Sequence, residues 1–105
     1  MNRLGSRIEM QPFANVEETF TITGWGDVLL CLIPSVEFKL KVGHALELRR
    51  AGVIYFGSTV DGVDVPRKIG LTMLGIVVKD LDHNLVRRQD EIWLESAAFE
   101  SIKVT

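Results

Sequence analysis

Nowhere in this chain do eleven or more residues place apolar side chains at helical spacing. Short apolar or alternating runs recur instead, separated by glycine-rich and polar turns. Val36-Glu37-Phe38-Lys39-Leu40-Lys41-Val42 alternates strictly, with four apolar side chains on one side and three charged ones on the other. It is the clearest period-two signal and predicts a strand with one face buried. Val28 to Ile33 is a continuous apolar run ended by Pro34, which suits a strand buried on both faces or one that closes a barrel. Phe20 to Ile22, Ala45 to Leu48, Val53 to Phe56, Ser58 to Val60 and Ile69 to Val78 add further strand candidates. Glu91 to Glu95 and Ile102 to Val104 complete the set. Gly24-Trp25-Gly26, Asp61-Gly62 and Asp80 to Asn84 read as turns, and Pro66-Arg67-Lys68 as a solvated connection. Only residues 80–90 and 97–102 leave room for a helical turn. The pattern predicts one all-β domain over residues 1–105, a small antiparallel barrel, closed or nearly closed, of about six to eight strands.

Composition limits the function classes. The 105 residues are 47% apolar, enough for one core and too much for disorder. Twelve basic residues stand against fourteen acidic ones, for a formal charge of -2, so no basic face is announced and DNA is not an expected partner. The single cysteine, Cys31, excludes an intrachain disulfide and fits a reducing compartment. No run reaches the length of a transmembrane helix, and Met1 to Glu9 lacks the apolar stretch of a secretory signal. A cytoplasmic protein that does not contact the membrane is therefore expected, with Met1 as its native start.

Several residues invite a chemical reading. Asp80, Asp82, Asn84 and Glu91 stand at positions one, three, five and twelve of a calcium-loop spacing. Leu85, however, occupies position six, where the sharp turn of such a loop needs glycine. A solvated turn is the simpler reading, and no metal or other cofactor is expected. His44 and His83 are the only imidazoles and read as turn residues. Cys31 sits inside an apolar run and reads as core. Trp25, held between two glycines, either serves an interface or folds back over a barrel end. Trp93 faces outward between two inward neighbours, or the reverse. The pairs Arg49-Arg50, Arg67-Lys68 and Arg87-Arg88 flank strands. They form a patch if they converge at one barrel end, and carboxylates such as Asp61, Asp64 and Asp90 could equally pair with them.

The motifs also resemble one family. Val16-Glu17-Glu18-Thr19-Phe20-Thr21-Ile22-Thr23-Gly24-Trp25-Gly26 is similar to the I-E-D-V-F-S-I-T-G-R-G that opens the second, β-barrel domain of translational GTPases of the elongation factor Tu type. Lys41-Val42-Gly43-His44 resembles K-V-G-D, and Ser58-Thr59-Val60-Asp61-Gly62-Val63-Asp64 resembles S-T-V-T-G-V-E. Gly70-Leu71-Thr72-Met73-Leu74-Gly75-Ile76 resembles G-L-L-L-R-G-I, and Arg88-Gln89-Asp90-Glu91-Ile92 falls where R-G-D-V-L would sit. The pieces keep their order over residues 16–94, about three-quarters of the chain.

The resemblance implies a barrel that in its parent proteins packs on a GTPase domain and helps hold the aminoacyl end of tRNA. The departures cut against that use. Asp64-Val65-Pro66 replaces the pocket's E-M-F, and Leu74 replaces an arginine. Gln89 replaces a glycine and suggests a different turn. No phosphate-binding loop of the G-x-x-x-x-G-K-[ST] kind occurs, so GTP hydrolysis by this chain has no chemical basis. The leading expectation is a stand-alone, non-enzymatic binding module that acts through protein–protein contacts, with Trp25, Arg49, Arg50, Arg67, Lys68, Arg87 and Arg88 as its binding residues. An RNA-, tRNA- or ribosome-associated translation accessory is the alternative, followed by an immunity-type toxin inhibitor. A small-molecule enzyme comes last, since no catalytic set is visible.

Overall fold

Two long strands organise the chain. In the computed structural model, which describes residues 8–34, 36–64 and 73–99, β1 (Met10–Ile22) and β4 (Val53–Asp64) each pair with two different neighbours. β1 pairs with β6 (Glu91–Glu95) through Met10–Asn15 and with β2 (Gly26–Leu32) through Val16–Ile22. β4 pairs with β3 (Ala45–Arg50) through Val53–Thr59 and with β5 (Met73–Val78) through Val60–Asp64. Register shifts mark both handovers, between Val16 and Glu18 in β1 and between Val60 and Gly62 in β4. An extra residue bends a strand and increases its twist, which is how one strand turns the corner between two sheets. With β2 on β5 and β3 on β6, the order β1-β2-β5-β4-β3-β6 returns to β1: a closed, antiparallel, six-stranded barrel.

The interior follows from alternation. Leu29 and Cys31 of β2, Leu46 and Leu48 of β3, Ile92 and Leu94 of β6, and Leu74 and Ile76 of β5 point inward and are almost wholly buried. Full burial of each such Leu or Ile contributes about 1.5–3 kcal/mol. Phe13, at the register shift between Pro12 and Ala14, closes one end against Phe38 and Phe99, with ring centroids 4.9 and 6.0 Å away.

Because every pairing is antiparallel, the connections sort by end. The turn end carries Thr23–Trp25, Ala51–Gly52 and the long Lys79–Asp90 connection with its 3₁₀ turn His83–Leu85. The opposite end carries residues 33–34 and 36–44 and the 3₁₀ turn Ser96–Phe99.

Three strand expectations need correction. Val36 to Val42 is not a strand. Phe38 and Leu40 do pack on the core, as the alternation demands, while Val36 and Val42 stay exposed. The backbone, however, is tied only at single points, Lys39 N–H to Ala98 O (2.6 Å) and Gly43 N–H to Val60 O (2.8 Å), so the segment is a strap across the barrel end. Asp61-Gly62 is not a turn, because β4 runs through it as a bulge, and the runs Val53–Phe56 and Ser58–Val60 are one strand. Gln89 occupies its turn with a φ of +75°, in the left-handed region that favours glycine. Its N–H bonds Val16 O at 2.7 Å, and its carbonyl accepts from Asn15 Nδ2 at 3.0 Å. Ile102 to Val104, residues 69–72 and the connection through Pro66 lie outside the described residues.

Candidate protein-binding surface

The glycines around Trp25 set its position. Gly24 has φ +84° and Gly26 φ +134°, so the chain reverses within three residues, and Trp25 N–H closes the turn on Ile22 O at 2.9 Å. The indole then lies against β4 at Gly62. A Cβ built at Gly62 would sit 2.6 Å from Trp25 Cζ2, closer than two carbons tolerate, so glycine at 62 is what makes room. Trp25 thus folds back onto β4 and remains 46% exposed.

Beneath it runs an apolar row that faces away from the barrel interior. Phe20, Val28, Val77 and Gly62 are successive register partners across β1, β2, β5 and β4. Val28 and Val77 alternate with the interior residues Leu29 and Ile76, so they sit on the outer face, yet each is 1% exposed. Gly75 belongs to the same packing, since a Cβ there would approach Val28 Cγ1 to 3.2 Å. Further along β2, Leu30 and Leu32 continue the outer face, and Leu32 is 54% exposed. The continuous apolar run Val28–Ile33 thus reflects apolar residues on both faces of one strand, with the outer face graded from covered at Trp25 to open at Leu32.

Among the described basic residues, Arg49 and Arg50 are each paired with a carboxylate. Arg49 lies on the outer face of β3, donates to Glu47 Oε1 (2.7 and 3.1 Å), and stacks 3.6 Å above the Trp93 ring. Trp93 therefore faces outward, and its Nε1–H donates to Glu91 Oε1 at 2.9 Å. Arg50 joins a node around the buried Asp90. Its Nε and one terminal amine grip Asp90 at 2.8 and 2.7 Å, the same amine reaches Leu85 O at 2.9 Å, and the guanidinium sits 4.6 Å over the Tyr55 ring. Arg88, 72% exposed, stands 3.3 Å from Glu17. Arg87 contributes its backbone N–H to Asp90 Oδ2 at 2.9 Å. Arg50, Arg87, Arg88 and Trp25 share the turn end, but Arg50 already serves a carboxylate there and Arg49 serves one on the outer sheet face. Arg67 and Lys68 lie outside the described residues.

Asp90 anchors that node. It is 3% exposed and also accepts the Tyr55 hydroxyl at 2.6 Å. Burial alone would raise its carboxyl, but Arg50, Tyr55 and the Arg87 amide outweigh burial and hold it near 2. Burial likewise pushes the Tyr55 hydroxyl up, with Asp90 adding to it. No signal in the sequence singles out Asp90 from its neighbours, because Arg50 and Tyr55 are 40 and 35 residues away.

A second cluster went unread in the sequence. Asp27 accepts the Thr21 hydroxyl and the His83 backbone N–H (3.0 Å), and His83 Nδ1 lies 2.9 Å from the same carboxylate. The Thr21 bond, then the His83 bond, lower the Asp27 carboxyl against a smaller opposing effect of burial. The order of a nucleophilic triad is not assembled, because Thr21 bonds the carboxylate and approaches Nδ1 (3.4 Å) rather than the outer ring nitrogen. The cluster clamps the 79–90 connection to the β1–β2 hairpin. Thr21 and Asp27 are direct register partners, which the hairpin reading could have revealed; His83 is 56 residues distant. His44 Nδ1 accepts Lys41 N–H at 3.1 Å and so is a turn residue, as expected.

The calcium-loop residues are not brought together. Asp82 caps the 3₁₀ turn through Asn84 N–H at 3.0 Å, Asp80 turns the chain with φ +58°, and Glu91 lies on β6 against Trp93. Among the described residues no group of three His, Cys, Asp or Glu is placed to hold a metal ion, and no helix is long and apolar enough to cross a membrane. Cys31 is wholly buried, and burial, with a smaller effect of Glu17, pushes its thiol up to about 12.

No protein-family model matches this chain, and neither the curated proteins nor the solved structures yield a match.

Proposed function

We propose that this chain is a non-enzymatic binding module that acts through protein–protein contacts, centred on Trp25 and the outer apolar face of β2 and β5. The observation that carries this reading is the indole held against Gly62, half-exposed, beside a row whose members Val28 and Val77 are buried. An aromatic side chain ordered before binding loses little conformational entropy on contact, and tryptophan is enriched at the energetic centres of interfaces. The open end of the same face at Leu32 extends the apolar area available to a partner. Arg49 and Arg50 support the reading from the other side. With both guanidiniums paired to carboxylates, phosphate recognition by these residues would first have to break those ion pairs.

The test is affinity capture from source-cell lysate, with and without ribonuclease, using wild type and Trp25→Ala. The expected outcome is one stoichiometric protein that survives ribonuclease and whose affinity falls about tenfold or more with Trp25→Ala. Equal binding by Trp25→Ala would place the surface elsewhere. Material that vanishes with ribonuclease would replace this reading with an RNA-associated one.

A further inference from the structure

The face that carries Trp25 bears charge of one sign at its margins. Leu30 lies between the inward residues Leu29 and Cys31 and so faces outward. Register places Glu18, Leu30, Gly75 and Asp64 in one row across β1, β2, β5 and β4. Residues directly opposite share a face, so Glu18 and Asp64 stand at the two ends of that row, and both are exposed. On one side of it runs the row Phe20, Val28, Val77 and Gly62 beneath the indole, and on the other lie Leu32 and Met73. The face is thus apolar along β2 and β5 and acidic on either side.

Asp61, the extra residue of the β4 bulge, is exposed beside Gly62 and adds a third carboxylate. Two described cations come near. Arg88 is taken by Glu17, 3.3 Å away, and Lys79 stands one outward step beyond Val77, past the indole end of the row. Among the described residues no cation lies within ion-pair distance of Glu18, Asp61 or Asp64.

An acidic border around an apolar strip selects what can lie on it. A phosphate backbone or an anionic headgroup would meet like charge, whereas lysine or arginine on both sides of an apolar ridge would meet its opposite. Exposed rim pairs contribute little affinity, so the apolar middle, from Trp25 to Leu32, carries the binding and the carboxylates set the choice of partner. Size narrows the choice further. Glu18 and Asp64 are three strand spacings apart, about 14 Å, and Val28 to Leu32 spans about another 14 Å along the strand. A helix with its side chains is about 10–12 Å across and rises about 1.5 Å per residue, so about ten helical residues fill the strip. Long basic side chains then run their aliphatic stems over its edges and end at the carboxylates. Resting on the Trp25 reading, we propose that the partner presents an amphipathic helix whose apolar stripe is bordered on both sides by lysine or arginine. It lies along β2 and β5, between Glu18 and Asp64.

The test is selection of a displayed library of helix-forming peptides, about 15 residues long, on the intact chain. Fluorescence anisotropy then measures the enriched peptides against wild type, Glu18→Lys/Asp64→Lys and Trp25→Ala. Enriched peptides are expected to carry apolar residues at i, i+3, i+4 and i+7 with lysine or arginine on both borders. They should bind the charge-reversed variant about tenfold more weakly and lose affinity as salt rises. Both replaced carboxylates are exposed, so the circular dichroism of that variant should match wild type. Peptides with no excess of positive charge, or equal binding to the charge-reversed variant, overturn the basic helix. If those same peptides fail on Trp25→Ala, the Trp25 surface still stands. Basic peptides that need Glu18 and Asp64 but bind Trp25→Ala undiminished uphold the basic helix and remove Trp25 as its centre. A selection that enriches no peptide overturns the proposal.

Discussion

Replacing Asp90 by asparagine keeps the size of the side chain and removes its charge, so it isolates the electrostatic part of the node at the turn end. The carboxyl stands near 2 in the folded protein against 3.8 ordinarily. That gap corresponds to roughly 2 kcal/mol of stability contributed by the ionised, hydrogen-bonded group. The sign follows from the direction. A depressed carboxyl stabilises the fold fully above pH 3.8, and the contribution is lost as pH falls toward 2, where the folded group also takes a proton. Asp90→Asn is therefore expected to lose about 2 kcal/mol in urea unfolding at pH 7, and the difference from wild type to shrink by about half at pH 3. Asp90→Ala should cost more, about 3–5 kcal/mol, since the Tyr55 hydroxyl and the Arg50 guanidinium would be left facing an empty site. An Asp90→Asn penalty that does not change between pH 7 and pH 3, or one below about 0.5 kcal/mol, would refute the electrostatic account and leave packing as the role of the residue.

Gly62→Ala places a methyl group against the indole, so it should expel Trp25 from β4. The expected result is a red-shifted tryptophan emission and a loss of about 1–3 kcal/mol, read by fluorescence-detected unfolding. Cys31 should not react with a thiol reagent such as Ellman's in the native state and should react at once in denaturant, because it is wholly buried and its thiol is held near 12. Ala51, with φ +51° beside Gly52 at φ +80° in the β3–β4 turn, carries a left-handed strain that glycine would not. Ala51→Gly is expected to raise stability by about 1 kcal/mol in the same unfolding assay.

What could be read in the sequence was whatever depends on near neighbours. The glycine pair around Trp25, the alternation Glu91–Leu94 and the apolar run of β2 each report a local property, and each stands in the structure as turn or strand. The strap at residues 36–44 shows where local reading ends. Alternation records which side chains face the core, and Phe38 and Leu40 do; it does not record whether a second strand lies alongside, and among the described residues none does. The same distinction separates Asp61-Gly62 as a turn from Asp61-Gly62 as a bulge. Glycine there serves a neighbour, the Trp25 indole, that lies 37 residues earlier (62 − 25) and touches it only once the barrel has closed.

The candidate sites divide along the same line. Trp25 could be singled out because its turn is self-contained, whereas Asp90 could not, because its partners arrive from β3 and β4 and one aspartate in a polar connection looks like any other. Arg49 and Arg50 make the point within a single dipeptide. Adjacent strand residues point to opposite faces, so Arg49 goes out to Glu47 and Trp93 while Arg50 goes in to Asp90. A pair of basic residues in a strand is thus two sites rather than one patch.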